Sequence, residues 1–394
     1  MTALKIVFWI SFSIIFYSYL GYGLILYCMV SIKRIFRRNS GILLDSYYPD
    51  VALIIPAFNE EDYMEAKIKN ILELEYPADK LSVIFITDGS TDKTNDIVSN
   101  FKNFTLMHQP ERKGKSAALN RAIEIVKEPV VVFCDANTLL NKQCLKNITR
   151  HYSNPKVGAV AGEKKIMVTS ETKVNSAGEG LYWRYESLLK RLDSEFYTVV
   201  GAAGELFSMR THLYEILPEE TIIEDFVLSL KVCIKGYVVR YEPEAYAIEN
   251  ASESIQDEQK RKVRISAGAF QAMVILKILF NIFKYPLVSF QFISHRVLRW
   301  TLCPICLFII FVVNIILIVG HAGSAYWILV ISQLMFYLLA FLGWIMTNSN
   351  IKVKALYVPY YFLFMNISVI LGFKRFIQKR QSVLWEKAAR QKST

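Results

Sequence analysis

The short stretch Gly114-Lys115-Ser116 has the residue types that end a phosphate-binding loop. A Walker loop also needs a glycine five residues before Gly114, because consecutive backbone N–H groups must close around a phosphate without Cβ clashes. That position is Gln109, and Pro110 after it has no N–H to donate. The spacing excludes a P-loop, but a lysine at the start of a predicted helix can still contact an anion. The sequence therefore predicts that Lys115 binds the phosphates of another kind of ligand.

Other polar residues follow short apolar runs in the middle of the chain. The runs VALIIPAF, LSVIFITD, FTLMHQ and VVVFCDA, with helical patterns such as Glu60 to Leu74 between them, predict an α/β fold with a mainly parallel sheet. Ligands of open α/β sheets bind beyond the carboxyl ends of the strands. The polar residues expected there are Asn59, Glu60, Asp88, Lys115, Asp135 and Asn137. No G-x-G-x-x-G follows the first strand, which argues against a dinucleotide fold.

Long uncharged runs indicate membrane helices. The chain has 394 residues, of which 53% are hydrophobic, and a net charge of +11. The runs from Ile6 to Val30, Thr301 to Asn350 and Ala355 to Phe373 each reach the length of roughly 18 residues that a membrane helix needs. Lys33 and Arg34 follow the first run at once, so the positive-inside rule predicts that the middle of the chain lies in the cytoplasm. We expect an integral protein of the cell (inner) membrane.

These patterns divide the chain into five predicted segments. They are an N-terminal transmembrane anchor (1–38), a cytosolic domain (39–264), interfacial amphipathic helices (265–300), C-terminal transmembrane helices (301–373) and a basic tail (374–394). The pattern of Leu181 to Phe196 predicts a helix that lies either in the core or on the membrane surface. Lysines and arginines cluster beside the membrane runs, which indicates contact with anionic lipid head groups and no nucleic-acid partner.

The side of the C-terminus depends on the last run. Three spans after a cytosolic domain would leave the basic tail outside, against the positive-inside rule. Either the stretch from Tyr357 to Phe373, interrupted early by Pro359, is not a simple span, or an earlier interfacial helix crosses the membrane. We expect a cytoplasmic C-terminus.

Five motifs follow one another along the chain. They are IPAFNEE (Ile55 to Glu61), ITDGSTDKT (Ile86 to Thr94), RKGKSAALNRA (Arg112 to Ala122), CDANT (Cys134 to Thr138) and IEDFVLSLKVCIKGY (Ile223 to Tyr237). In their order they resemble membrane-embedded inverting family-2 glycosyltransferases, the group of hyaluronan, chitin, cellulose and poly-N-acetylglucosamine synthases. The resemblance covers about residues 50 to 270 in detail. It implies a GT-A-type, Rossmann-like nucleotide-sugar domain that uses a UDP-sugar donor.

The resemblance also implies a role for each polar residue of the donor site. Asp88 would accept a hydrogen bond from uracil, Lys115 would contact the diphosphate, and the nucleoside would lie against Pro56, Ala57 and Glu60. Asp135 would hold Mg²⁺ or Mn²⁺ against the diphosphate, with Asn137 as a neutral ligand where relatives carry a second aspartate. From the residues alone, Asp88 also suits a turn or helix cap, and Asp135 suits a structural strand end.

The last motif carries the expected general base. The resemblance implies that Asp225 takes the proton of the acceptor hydroxyl and that the transferred sugar is inverted, while the like charge of adjacent Glu224 helps to raise the pKa of the carboxyl. The alternative is that both acids stabilise a helix N-terminus through its dipole.

The acceptor motif departs from the family pattern. Where relatives carry Q-x-x-R-W, this chain has Arg261, Arg264 and then Ile265, so an arginine for the diphosphate remains while the glutamine and tryptophan are absent. A basic face on the membrane surface is the alternative for these arginines, and Trp385 is a candidate for the missing aromatic group. Three functions stay open: polysaccharide synthesis with export of the chain, transfer of one sugar to a polyprenyl phosphate or other membrane acceptor, and a non-catalytic nucleotide-sugar transporter or receptor.

Overall fold

We describe the protein from a computed structural model over residues 1–36, 47–167, 175–250, 254–349 and 353–379. The strands are Val51–Ala57 (β1), Leu81–Asp88 (β2), Thr105–Gln109 (β3), Val130–Cys134 (β4), Thr138–Leu140 (β5), Val157–Ile166 (β6), Leu206–Arg210 (β7) and Val238–Glu249 (β8). The helices around the sheet are Glu61–Leu72 (α3), Thr94–Ser99 (α4), Lys115–Ile123 (α5), Cys144–Thr149 (α6), Asn175–Phe196 (α7), Glu224–Ile234 (α8) and Ile255–Ile275 (α9). Before them lie Thr2–Phe16 (α1) and Tyr22–Phe36 (α2), joined by the π-helical turn Tyr17–Gly21. After them come Pro286–Phe292 (α10), the short turn Leu298–Trp300 (α11), Leu302–Val319 (α12), Ser324–Asn348 (α13) and Lys354–Ile377 (α14).

The described strands form one sheet in the order β3-β2-β1-β4-β7-β6-β8-β5. Strand β1 pairs in parallel with β2 and β4, and β2 pairs in parallel with β3, so the carboxyl ends of four strands meet at one edge. Strand β6 pairs in parallel with β8, whereas the pairs β4–β7, β6–β7 and β5–β8 are antiparallel. The predicted α/β fold with a mainly parallel sheet is confirmed.

Both faces of the sheet are covered, which explains why its strands have continuous apolar sequences. On β1, Ala52 and Ile54 pack into one apolar cluster with α5, α8 and α9, while Val51, Leu53 and Ile55 pack into a second cluster with α3 and α6. Parallel strands buried on both faces lose the alternation of polar and apolar residues. The sheet edge that carries the polar residues is therefore held rigidly from both sides.

Four helical segments are long and apolar enough to cross a membrane. Within the described residues they are Thr2–Phe36, Leu302–Val319, Ser324–Asn348 and Ala355–Ile377. They agree with the runs found in the sequence, and the protein is a membrane protein.

Helix α7 packs on the first membrane helix. Its Leu189 and Leu192 pack against Tyr22, Leu26 and Val30 of α2. The first membrane helix is thereby attached directly to the sheet domain.

Helix α14 differs from the other C-terminal spans because it packs along α9. Gly372 lies against Ser266, and the Phe373 ring is 4.9 Å from that of Phe270. Half of the most apolar stretch of α14 is buried in the protein (50%), against 44% for α12 and 17% for α13. Pro359 lies inside α14 and does not end it. The end of α14 thus lies beside α9, and the domain boundary expected between 264 and 265 falls within α9.

Candidate active site

A cavity of about 550 Å³ lies at the carboxyl edge of the parallel strands. The predicted site residues that line it are Pro56, Glu60, Lys115, Asp135, Asn137, Glu224, Asp225, Arg261 and Arg264. Ala57 and Asp88 are buried and do not line it, and Trp385 lies outside the described residues. The structure therefore brings residues from five separate parts of the chain to one surface.

Lys115 is the first residue of α5 and lies at the centre of the acidic groups. Gly114 before it has φ +97°, a conformation that favours glycine, and turns the chain into the helix. The Lys115 Nζ is 2.8 Å from Asp135 Oδ1 and 2.9 Å from Glu224 Oε1. Burial by itself would lower the pKa of Lys115, but the carboxylates of Asp135, Glu224 and Asp225 outweigh burial and raise the pKa well above its ordinary value. The lysine remains a cation between the two walls of the cavity.

Asp225 lies in the first turn of α8, beside Glu224. Burial raises the pKa of Asp225 to about 8, the negative charge of Glu224 adds to this effect, and Lys115 opposes it. A Cβ added at Gly204 would lie 3.5 Å from Asp225 Oδ2, so the loop before β7 passes close to the carboxyl. A carboxyl with a pKa near the working pH can accept a proton from a hydroxyl and later release it, which is what a general base requires.

Asp88 supports the loop that carries Lys115. Its carboxylate accepts hydrogen bonds from the backbone N–H groups of Lys113 (3.0 and 3.1 Å) and Gly114 (2.6 Å), and its side chain is fully buried. These bonds hold the chain in the position from which α5 begins. The contact of Asp88 with uracil stays a prediction.

Asp135 and Asn137 carry oxygen atoms that suit a hard cation whose remaining ligands come from a diphosphate. Among the described residues, no group of three or more His, Cys, Asp or Glu side chains could hold a metal ion by itself. Mg²⁺ is commonly bound by one or two carboxylates together with substrate phosphates. Asp135 already attracts a cation, because its carboxylate contacts the Lys115 ammonium at 2.8 Å. Burial raises the pKa of Asp135 and Lys115 opposes this, so added positive charge nearby would favour its ionised form.

The sequence analysis missed an ion cluster at the same cavity, which Glu205 and Glu249 line. Lys164 on β6 lies between the carboxylates of Glu205 and Glu249 and forms an ion pair with each. Burial would raise the pKa of Glu205, but Lys164 outweighs it and holds the pKa well below its usual range. The sequence GAAGE at residues 201–205 could have indicated that this loop lies at the site, because its glycines allow the backbone to approach the site closely.

Arg261 and Arg264 line the cavity from α9. The Arg261 guanidinium donates to the Glu258 carboxylate on the same helix through Nε (3.0 Å) and Nη2 (3.1 Å). This bidentate pair fixes the Arg261 side chain at the cavity wall.

The membrane-facing wall of the cavity also contains residues that the sequence analysis missed. Glu186 accepts hydrogen bonds from Arg296 Nη1 at 3.1 Å and from Arg299 Nη1 at 2.5 Å. Tyr19, Trp300 and Asn366 line the same part of the cavity. More than a hundred residues separate Glu186 from its partners, 110 for Arg296 and 113 for Arg299, so sequence spacing gave no signal for these pairs. The run R-V-L-R-W at residues 296–300 has the arginine and tryptophan of the Q-x-x-R-W pattern and was the available signal for this wall.

The comparisons with known proteins match the same part of the chain. Residues 52–216 match the family model described as Glycosyl transferase family 2. The poly-beta-1,6-N-acetyl-D-glucosamine synthase of Staphylococcus aureus (strain MSSA476) is 26% identical over 264 residues, which are 64% of this chain and 62% of the relative. The probable glycosyltransferase YdaM of Bacillus subtilis (strain 168) is 27% identical over 60% of this chain and 58% of its own length. The chain thus matches less than two thirds of the length of these curated relatives.

One solved structure resembles almost the whole chain in fold. It is the mannosyltransferase PcManGT from Pyrobaculum calidifontis, in complex with GDP-Man and Mn²⁺, with a TM-score of 0.70 and 20% sequence identity. The similarity covers 96% of this chain and 99% of that one. It confirms the predicted GT-A-type fold with helices at both ends. Residues 52–216 thus resemble family-2 glycosyltransferases in sequence, and the solved structure adds the similarity in fold.

Proposed function

We propose that the protein transfers a sugar from a UDP-sugar, such as UDP-N-acetylglucosamine, to a growing polysaccharide, with inversion at the anomeric carbon. The observation that carries the proposal is the Asp225 carboxyl, whose pKa of about 8 suits a general base and which shares one cavity with Lys115 and Asp135. The name of the staphylococcal relative supports a polymer of N-acetylglucosamine as the product.

In this reaction the Asp225 carboxylate takes the proton of the acceptor hydroxyl. The hydroxyl oxygen attacks the anomeric carbon from the side opposite to the diphosphate, which inverts the configuration. The bond from that carbon to the diphosphate breaks, and its electron pair leaves with UDP. The Lys115 ammonium lies where it can neutralise this new negative charge, and Glu224 holds the ammonium at 2.9 Å.

The metal and diphosphate contacts belong to the same proposal. Mg²⁺ or Mn²⁺ held by Asp135 and Asn137 would supply positive charge against the leaving diphosphate. Arg264, with the fixed Arg261, would add charge-assisted hydrogen bonds from the opposite wall. Two cationic walls explain how a diphosphate can bind without a P-loop.

The donor's base would lie at the end of β1, against Pro56, Ala57 and Glu60. Pro56 and Glu60 line the cavity, whereas Ala57, the last residue of β1, is buried. Asp88 would reach uracil only if the loop after β3 opened, because its side chain is fully buried and does not line the cavity in this structure.

We further propose that the domain faces the cytoplasm of the inner membrane and that the polymer leaves outward. Lys33, at the basic end of the first membrane helix, donates to the backbone carbonyls of Glu195 (2.9 Å) and Phe196 (2.6 Å) of α7. The positively charged end of that helix is therefore on the side of the site, as the positive-inside rule requires of a cytoplasmic domain. The end of α14 beside α9 supports a C-terminus on the same side.

The test uses the full chain in membranes with four radiolabelled donors: UDP-N-acetylglucosamine, UDP-glucose, UDP-glucuronic acid and GDP-mannose. We expect one UDP-sugar to yield a polymer that a size column resolves and that Asp225→Asn does not make. Transfer from GDP-mannose alone would contradict the proposed donor. A product with one added sugar on a polyprenyl phosphate would favour single transfer instead.

A further inference from the structure

Lys115 and the metal ion of the proposed reaction need the same carboxylate. The Lys115 Nζ lies 2.8 Å from Asp135 Oδ1, and Asp135 is the charged member of the proposed ligand pair, because Asn137 is neutral. A divalent cation on Asp135 would lie close to the ammonium, and like charges repel strongly in a partly buried site. In this structure the ammonium itself supplies the positive charge beside Asp135.

The surroundings of Asp135 offer a metal ion little else to bind. In the part of the chain that the structure describes, no group of three or more His, Cys, Asp or Glu side chains could hold one. Glu205 and Glu249 line the same cavity, but both form ion pairs with Lys164. A metal ion that arrives alone therefore meets one carboxylate that Lys115 already uses, whereas a metal ion that arrives with a diphosphate gains phosphate oxygens as ligands.

Lys115 can leave Asp135 without losing its other carboxylate. Its Nζ is also 2.9 Å from Glu224 Oε1, and the Glu224 side chain is 6% exposed, against 29% for Asp135. Glu224 is fixed in the first turn of α8, while the ammonium ends a flexible four-carbon stem. The geometry thus makes Glu224 the permanent partner and Asp135 the exchangeable one.

Gly204 leaves space beside the ammonium. A Cβ added at this glycine would lie 3.1 Å from Lys115 Nζ and 3.5 Å from Asp225 Oδ2. Gly204 lines the cavity, so this side of the ammonium borders open space and not another side chain. An anionic group in the cavity can therefore approach Lys115 directly.

We propose that Lys115 is an internal counter-ion that occupies Asp135 until the donor diphosphate arrives, so that the diphosphate binds before the metal ion or together with it. The diphosphate oxygens draw the ammonium away from Asp135 while Glu224 stays bound to it, and the freed carboxylate then accepts Mg²⁺ or Mn²⁺. No covalent bond changes in this exchange. The inference rests on the proposed function, because it requires a diphosphate donor, and it adds the order in which the ligands of that site bind.

The exchange keeps the charges of the site compensated at each stage. Without a donor, the ammonium faces Asp135 and Glu224. With a donor, the ammonium faces Glu224 and the diphosphate, and the metal ion compensates Asp135. An enzyme of this kind binds little free metal, so it takes up metal and donor as a pair.

The test measures Mn²⁺ binding by the full chain in detergent and needs no turnover. Lys115→Met removes the ammonium, and the matched control is Lys231→Met, because Lys231 forms an ion pair with Glu215 outside the cavity and its side chain is 22% exposed, against 20% for Lys115. Water-proton relaxation reports the Mn²⁺ that is bound to the protein. Without nucleotide, we expect Lys115→Met to bind Mn²⁺ about tenfold more tightly than the native protein, because a like charge is removed. Lys231→Met should bind it as the native protein does.

Uridine diphosphate separates an exchange of partners from a simple change of charge. With saturating UDP, Lys115 has already left Asp135 in the native protein, so the gain from Lys115→Met should largely disappear. A protein-free solution of Mn²⁺ and UDP supplies the blank. Uridine, which lacks the diphosphate, should leave the gain intact. A gain of the same size with and without UDP would overturn the inference, because the lysine would then repel the metal ion in both states.

Two further variants keep the test decisive if Lys115→Met does not fold. Lys115→Gln removes the charge but keeps a hydrogen-bond donor, so it should also tighten Mn²⁺ binding without nucleotide. Lys115→Arg keeps the charge and should bind Mn²⁺ as weakly as the native protein. Native Mn²⁺ affinity in the Gln variant would overturn the inference and leave the proposed function standing. Failure of the native chain to use any UDP-sugar would instead overturn the proposed function.

Discussion

The two ends of the cavity hold their charges in opposite ways. At the donor end, Lys115 is shared between Asp135 and Glu224, while Asp225 lies within their field and its pKa is raised to about 8. At the membrane end, Glu186 is 3% exposed and its two arginines hold its pKa well below its usual value against the opposing effect of burial.

This difference separates groups that react from groups that position. A carboxyl with a raised pKa can gain or lose a proton at working pH, and a shared lysine can change partners when a ligand enters. A carboxylate with a lowered pKa stays ionised and keeps its hydrogen bonds, so Glu186 holds the arginines of the membrane-facing wall in place. The same cavity thus combines a reactive end with a rigid end.

The largest expected effect is on the reactive end. Asp225→Asn keeps the shape of the side chain and removes the base, so we expect turnover to fall by about 10²- to 10⁴-fold with UDP affinity retained. Purified enzyme assayed with saturating donor would show this. Near-normal turnover of the variant would remove Asp225 from the mechanism.

A change at the rigid end should lower the thermal stability of the protein. Glu186→Gln leaves the buried Arg299 and the partly buried Arg296 without their carboxylate, and breaking a buried pair costs about 3–5 kcal/mol. We expect a marked drop in the midpoint of thermal unfolding in detergent. The matched control is Glu195→Gln, whose partner Arg34 has a side chain 55% exposed, and pairs of this kind contribute about 0–1 kcal/mol. If the two substitutions lowered the unfolding midpoint equally, the buried Glu186 pairs would be no more important for stability than an exposed pair, and the description of this end as rigid would be wrong.

The pH dependence tests the raised pKa directly. Asp225 must be ionised to accept a proton, so kcat/KM should rise with pH and level off above about 8, the pKa given by burial and Glu224. In Glu224→Gln the like charge is absent, the pKa of Asp225 falls, and the rising limb moves to lower pH. A profile that is flat from pH 6 to pH 9 would contradict this assignment.

The smallest expected effect concerns the metal. Asn137→Asp adds a negative charge to the ligand set, so the Mn²⁺ concentration for half-maximal binding should fall several-fold. Paramagnetic resonance of free Mn²⁺ measures this without an activity assay. Full activity of the native enzyme after exhaustive chelation would show that Asp135 and Asn137 have another role.

The sequence predicted the four strands of the sheet whose residues form simple apolar runs. Strands β1 to β4 are buried on both faces, so each is a continuous apolar run, and the structure places their ends within two residues of the prediction. Strands β6 and β8 were not predicted, because charges interrupt them. Lys164 on β6 and Glu249 on β8 are buried as partners of each other, and only the folded chain brings them together.

The same limit applies to the site. The sequence identified the residues at strand ends and in α8, because each follows a recognisable local element. It gave no reason to select Tyr19 or Glu186, whose partners lie far away in the chain. Arg299 and Trp300 have the R-W spacing of the acceptor motif, but that motif was assigned to Arg261, Arg264 and Ile265 instead. It selected Trp385 for the aromatic role, and that residue lies outside the described part of the structure, so its role stays a prediction.

The anomeric configuration of the product tests the central claim most directly. The native enzyme is supplied with the α-linked UDP-sugar that it uses, and nuclear magnetic resonance coupling constants of the new glycosidic bond are measured on the product. Direct attack by a hydroxyl that Asp225 deprotonates predicts a β-linkage in every added unit. An α-linkage would mean retention and would contradict the assignment of Asp225 as the base of a single inverting displacement.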